Sequence, residues 1–253
     1  MSGAPVDPAP TDPAPGDRSA QLGPALQAVR ERVTAAAAEA GRDPGELTLV
    51  AVTKFFPAAD VRALARLGVG DVGESRDQEA AAKAAEVAQD GVALRWHFIG
   101  QVQSNKARSV AAYCDVVHSV DRAKVATALD RGAGEHGRRV GCFVQVDLAP
   151  ALGEGADPAR GGVAPDGIAA VAEAVAGGEH LDLLGLMAVA PREEDPARAF
   201  AVLADLAARL RRDHPGAVHL SAGMSGDLEQ AVAAGATHLR VGGAILGPRP
   251  APR

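Results

Sequence analysis

Lys54 ends an apolar run, LTLVAVTK (47–54), and is the first residue of the chain placed to do chemistry. Side chains alternate along a strand, so Val50 and Val52 share its face. In a barrel strand that face is the interior, and a partly desolvated amine at the mouth is a nucleophile toward an aldehyde. The competing reading is a lysine snorkelling from a strand end to water. Position alone leaves both open. A second group lies in HLSAGMSGDLEQAVAAGATHLRVGGAILG (219–247). There a strand runs through Ser221 and Gly223 to Ser225 and into a helix with Asp227 and Glu229 in its first turn. Gly223 and Gly226 allow close backbone approach, and free N–H groups at a helix start bind anions. A later strand ends on Gly242 and Gly243. Alternatively, these glycines only turn the chain. Arg240 shares strand parity with His238 and Gly242, while Leu239 and Val241 point the other way. An inward arginine needs an acceptor: a structural carboxylate such as Glu74 or Asp147, or a ligand atom.

The elements that must position these residues alternate along the chain. Strand-like runs fall at 47–54, 69–74, 95–100, 115–120, 140–148, 181–189, 217–222 and 237–243. Helix-like stretches lie between them at 58–68, 76–89, 104–112, 121–137, 165–177, 196–213 and 226–234. Such alternation indicates βαβ units and a parallel sheet. Eight strands with a helix in each interval fit a closed barrel better than an open sheet. A further helix over 20–40, with Leu22, Leu26, Val29 and Val33 at helical spacing and Gly41 to stop it, suits the outer-ring place that the short C-terminus leaves empty. Residues 1–17 repeat Pro, Ala and Asp without periodicity, which predicts a disordered tail before one domain over 18–253. Barrels place their chemistry at the C-terminal strand ends. Lys54, Glu74, the segment after Gly100, Met187, the Ser221–Ser225 run and Arg240–Gly243 all fall there.

An amine for an aldehyde, a glycine-lined phosphate site after strands seven and eight and an inward arginine are together what pyridoxal 5'-phosphate (PLP) requires. The sequence also resembles the YggS/PROSC family of pyridoxal phosphate homeostasis proteins, related to the barrel domain of alanine racemase. The resemblance rests on LVAVTKFFPAADVRAL (49–64), GDVGESRDQEAAAK (70–83), WHFIGQVQSNK (96–106), VVHSVDRAKVATAL (116–129), LLGLMAVAP (183–191) and LSAGMSGDLEQAVAAGATHLRVGGAILG (220–247). It implies a single fold-type III (β/α)8 TIM barrel that holds PLP as a Schiff base on Lys54. By the same resemblance Ser225, Gly242 and Gly243 bind the phosphate, Met224 lines the site and Arg240 bonds the pyridine nitrogen. An arginine does not readily give up a proton, so that nitrogen stays unprotonated and the ring is a poor electron sink. The chain departs from the family at Ser75, where asparagine is usual beside the cofactor, and at Ala222, where methionine is usual.

The implied role is a carrier or regulator in intracellular PLP (vitamin B6) homeostasis, with indirect effects on amino-acid and keto-acid pools. No residue is assigned as catalytic. The alternative is a low-activity PLP-dependent amino-acid racemase; a cofactor-free Schiff-base aldolase is a third reading, which the motifs disfavour. Racemisation needs two opposed acid/base groups. The chain's only tyrosine, Tyr113, sits late in a helix, and His97, within WHFIG, reads as a hydrogen-bonded core residue. The net charge of −6 and the scattered basic residues point to no nucleic-acid or membrane partner. There is no secretory signal and no apolar run long enough for a spanning helix, so a cytoplasmic protein is expected; without the dimer-closing second domain of alanine racemase, the resemblance implies a monomer. Cys114 and Cys142 read as small buried hydrophobes rather than as a disulfide or half a metal site.

Overall fold

The computed structural model describes residues 15–153 and 161–249. Eight parallel strands close into a barrel in chain order: β1 Thr48–Val52, β2 Asp71–Glu74, β3 Arg95–Phe98, β4 Val116–Val120, β5 Val140–Gln145, β6 Leu181–Met187, β7 His219–Ser221 and β8 His238–Val241. Closure comes from β8 lying on β1, with Val50 opposite Arg240 and Ala51 opposite Val241. The intervening helices are α2 Ala58–Arg66, α3 Asp77–Ala88, α4 Ala107–Tyr113, α5 Ala123–Glu135, the one-turn α6 Ala149–Leu152, α7 Ile168–Ala176, α8 Pro196–Asp213 and α9 Leu228–Ala233. The one-turn α10 Gly243–Leu246 follows β8, and α1 Pro15–Glu39 precedes β1. This is a (β/α)8 TIM barrel.

The place expected for the first helix is the one it takes: α1 packs on α2, α9 and α10 with Leu22, Leu26, Val29 and Val33 buried. Gly41 ends it with φ +66, and the Arg42 N–H returns to the Ala37 carbonyl, a left-handed C-cap that glycine adopts cheaply. The helix starts at Pro15, earlier than its periodicity suggests; the rest of the expected 1–17 tail lies outside the described residues.

Strand alternation sorts the core into two faces. Ala51, Val72, Trp96, Phe98, Val117, Cys142, Val144, Leu186, Leu220, Leu239 and Val241 join one large cluster with the helices. Val116, Phe143 and Met187 form a separate small cluster on the other face, inside the barrel. Histidines share that interior: the His118 ring stacks on Phe143 with centroids 4.7 Å apart, and His238 meets Phe143 edge-on at 5.1 Å. The expected strands run long at several C-terminal ends. After β5 and β8, Pro150 and the Gly242–Gly243 pair turn the chain into α6 and α10 instead of extending the strand.

Candidate functional site

Lys54 lies in the turn between β1 and α2, and both of its neighbours are held. The Thr53 hydroxyl donates to Glu74 Oε1 (2.7 Å), and the Thr53 carbonyl accepts from Lys83 Nζ (3.1 Å). The Phe55 N–H donates to Glu79 Oε1 (2.8 Å). Lys83 joins the two carboxylates, at 2.6 Å from Glu74 Oε1 and 3.0 Å from Glu79 Oε1. Phe55 has φ +73, and among the described residues no other non-glycine residue has positive φ. A bulky residue adopts that conformation only where its surroundings enforce it, and the clamp supplies the enforcement. Burial pushes the Glu74 carboxyl up, opposed by Lys83 and Thr53; burial also works against Glu79, but bonds from Lys83 and Phe55 bring its carboxyl below the ordinary value. Lys54 is only half-buried. Among the described residues its Nζ makes no hydrogen bond or ion pair, and its nearest aromatic neighbour is the Phe55 ring, with the centroid 5.9 Å away.

Beside Lys54 the backbone is open to an anion. Gly242 packs on β1 so closely that a Cβ there would stand 3.2 Å from both the Cβ and the carbonyl of Val52, two residues before the lysine. Gly223, with φ +90, passes between Ala231 and Leu239, where a side chain would collide. The Gly223 carbonyl accepts from Arg240 N (2.9 Å), and Ser225 Oγ accepts from Ala244 N (3.4 Å), so the turn after β7 is stitched to the end of β8. The Met224 N–H is taken by Asp227 Oδ1 (2.6 Å), but the N–H groups of Ser225, Gly242 and Gly243 find no acceptor among the described residues. Three unspent donors beside a serine hydroxyl are a cradle that could hold an anion.

Arg240 is buried inside the barrel below this cradle. Burial pulls its guanidinium down to about 10, still a cation at neutral pH. Neither expected carboxylate meets it. Glu74 belongs to the helix-facing clamp, and Asp147 Oδ1 accepts the Ala149 N–H at the start of α6. The partners are Ser221 Oγ and the Ala188 carbonyl (3.0 Å), which use two of five guanidinium donors. Ser225, Arg240, Gly242 and Gly243 thus lie together where the turn after β7 meets the end of β8, Lys54 follows the strand on which Gly242 packs, and exposed Met224 lies in the turn. Ser75 follows β2 at the same end, half-buried, against Gly100. Tyr113 lies in the helical ring, its hydroxyl 3.5 Å from Asp77 Oδ1. His97 is fully buried and bonded through both ring nitrogens. Cys114 and Cys142 are buried free thiols. The role of Lys83 is not foreseen, and Ser221, named only as part of the run after β7, is not foreseen as the partner of Arg240; nothing in the sequence signals either pairing.

Residues 25–250 match the family described as alanine racemase, N-terminal domain. A Mycobacterium bovis protein named pyridoxal phosphate homeostasis protein is 45% identical over 251 residues, covering 92% of this chain and 95% of that one. A structure of PipY from Synechococcus elongatus PCC7942 with PLP bound superposes with a TM-score of 0.77 at 35% identity, covering 90% of this chain and 100% of that one. The alanine racemase of Corynebacterium glutamicum is similar in fold, with a TM-score of 0.63 at 16% identity, covering 93% of this chain and 61% of the racemase.

Proposed function

The chain belongs to the pyridoxal phosphate homeostasis protein family, which carries the alanine racemase N-terminal domain, and on that premise we propose that it holds PLP as a Schiff base on Lys54. The observation that carries this reading is the unpaired Lys54 amine next to a cradle of unspent N–H donors. Ser225 and the Gly242 and Gly243 N–H groups bind the phosphate. Arg240 donates to the pyridine nitrogen, Met224 covers the rim, and the Ser75 hydroxyl stands in for the usual asparagine. PLP, when bound, supplies an electrophilic aldehyde and a ring able to delocalise charge. Arg240 limits the second property, because a guanidinium donates to the nitrogen without protonating it.

The protein acts as a cytoplasmic monomer that carries and buffers PLP, and its effects on amino-acid and keto-acid pools are indirect. Racemisation requires a second acid/base group facing Lys54 across the substrate. Tyr113 is turned to the helical ring, and His97 is committed to the barrel interior. The purified protein with PLP should absorb at about 420 nm, as Schiff bases of this cofactor do. Lys54→Ala should abolish the band; an unchanged spectrum in the variant defeats the assignment. For carrier against racemase, the assay is α-proton exchange of alanine in deuterated water. Turnover at roughly 1–1000 per second, the ordinary enzyme range, would establish the enzyme instead.

A further inference from the structure

Arg240 is a buried cation that bonds no carboxylate directly, Asp227 acting on it only through space, yet a chain of side chains leads from it to one. Its Nη1 donates to Ser221 Oγ. Ser221 Oγ lies 2.8 Å from His118 Nδ1, His118 Nε2 lies 2.8 Å from His97 Nδ1, and His97 Nε2 lies 2.8 Å from Asp71 Oδ1. Asp71 is the first residue of β2, at the opposite end of the barrel from Lys54. His97, His118 and Ser221 are fully buried, with Phe143 stacked on His118.

The protons in this chain have one consistent direction. A guanidinium only donates, so Ser221 Oγ accepts from Arg240 and must pass its own O–H onward. The atom in reach is His118 Nδ1, which therefore carries no proton. His118 is then the Nε2–H tautomer and donates to His97 Nδ1. His97 is in turn Nε2–H and donates to the carboxylate, which only accepts. The competing assignment makes His97 an imidazolium and reverses His118. It strands the Ser221 O–H and adds a second buried cation, each costly in a dry interior. Burial first, and then the neighbouring His97 and Arg240, hold His118 well below the usual imidazole range. Burial opposes the Asp71 charge, but the bond from His97 prevails and its carboxyl lies below the ordinary value.

We propose that Asp71, His97, His118 and Ser221 are positioning residues for Arg240, a one-directional hydrogen-bond relay that carries the influence of the Asp71 carboxylate through the barrel to the guanidinium at the mouth. The relay fixes which faces of the guanidinium remain free and keeps its charge coupled to a distant anion. It rests on the PLP reading only in giving Arg240 a ring nitrogen to serve.

The test is 15N NMR of the full, ligand-free chain with labelled histidine. Both His97 and His118 should appear as neutral Nε2–H tautomers with unprotonated Nδ1. A doubly protonated His97, or a His118 protonated at Nδ1, overturns the relay. Asp71→Asn keeps an acceptor and removes the charge, so it should move the His118 resonances from one residue further along the chain; unmoved resonances overturn the coupling. Ser221→Ala should weaken PLP retention about fivefold, the worth of one hydrogen bond, and Ser221→Thr should restore it. Equal retention in both variants overturns the positioning role. The tautomers are read without cofactor, so failure of the PLP assignment and failure of the relay are distinguishable.

Discussion

Lys54 and Lys83 stand near each other at one end of the barrel and differ in every respect that decides reactivity. Lys83 is 5% exposed, and its three ammonium donors meet Glu74, Glu79 and the Thr53 carbonyl. Nothing is left with which to attack a ligand. Lys54 is half-buried and has no ion-pair partner among the described residues. The two are connected, since Lys83 and its carboxylates hold the residues on both sides of Lys54. A saturated lysine here immobilises the backbone of an unsaturated one, and fixed backbone with a free amine is what covalent capture of an aldehyde needs.

Removing Lys83 is the strongest way to break that contrast. Lys83→Met leaves Glu74 buried without its cation, a loss worth about 3–5 kcal/mol. Urea unfolding should show it, whereas Lys54→Ala should leave the midpoint nearly unchanged. Equal midpoints for the two variants would mean that the clamp is not structural.

Acid should act on the buried groups and not on the mouth. Burial, together with neighbouring His97, holds His238 down to about 3, and His118 is shifted the same way. Groups held neutral in the fold but charged when unfolded contribute stability that is complete above the unfolded value near ~6.5 and is lost as pH falls below it. For His238 alone the loss at about pH 5 is about 2 kcal/mol. Glu74, pushed up chiefly by burial, offsets a small part, because protonation relieves it. Denaturation at about pH 7.5 and at about pH 5 measures the difference; no change contradicts the assignment of neutral interior histidines.

The smallest expected effect is at the cradle. Ser225→Ala removes one proposed phosphate contact and the weak bond from Ala244 N. It should weaken PLP retention by about 1 kcal/mol, roughly fivefold, with the fold spared. Dialysis against fresh buffer reads the retention directly.

Much of the barrel was legible because its elements are defined by local period. Alternation along β8 put His238 and Arg240 on one face and Leu239 and Val241 on the other, as found. The glycines near Ser225 and after Val241 were legible as places of chain reversal and close backbone approach, because these have few residue solutions. Arg240's partners were not legible. Ser221, His118, His97 and Asp71 come from four strands, and only barrel closure brings them together. Lys83 was hidden for a related reason: on an alanine-rich helix it looks like a solvated charge until α3 is seen against the end of β2. Short helices such as α10 escaped because one turn has no periodicity to detect.

The chain has four lysines, Lys54, Lys83, Lys106 and Lys124, so the site of attachment can be read in one experiment. The protein is incubated with PLP, reduced with borohydride, digested and mapped by mass spectrometry. The expected result is the pyridoxyl phosphate mass on the peptide carrying Lys54 and on no other. Its appearance on Lys83, Lys106 or Lys124 with Lys54 unmodified, or on none of the four, would contradict the account.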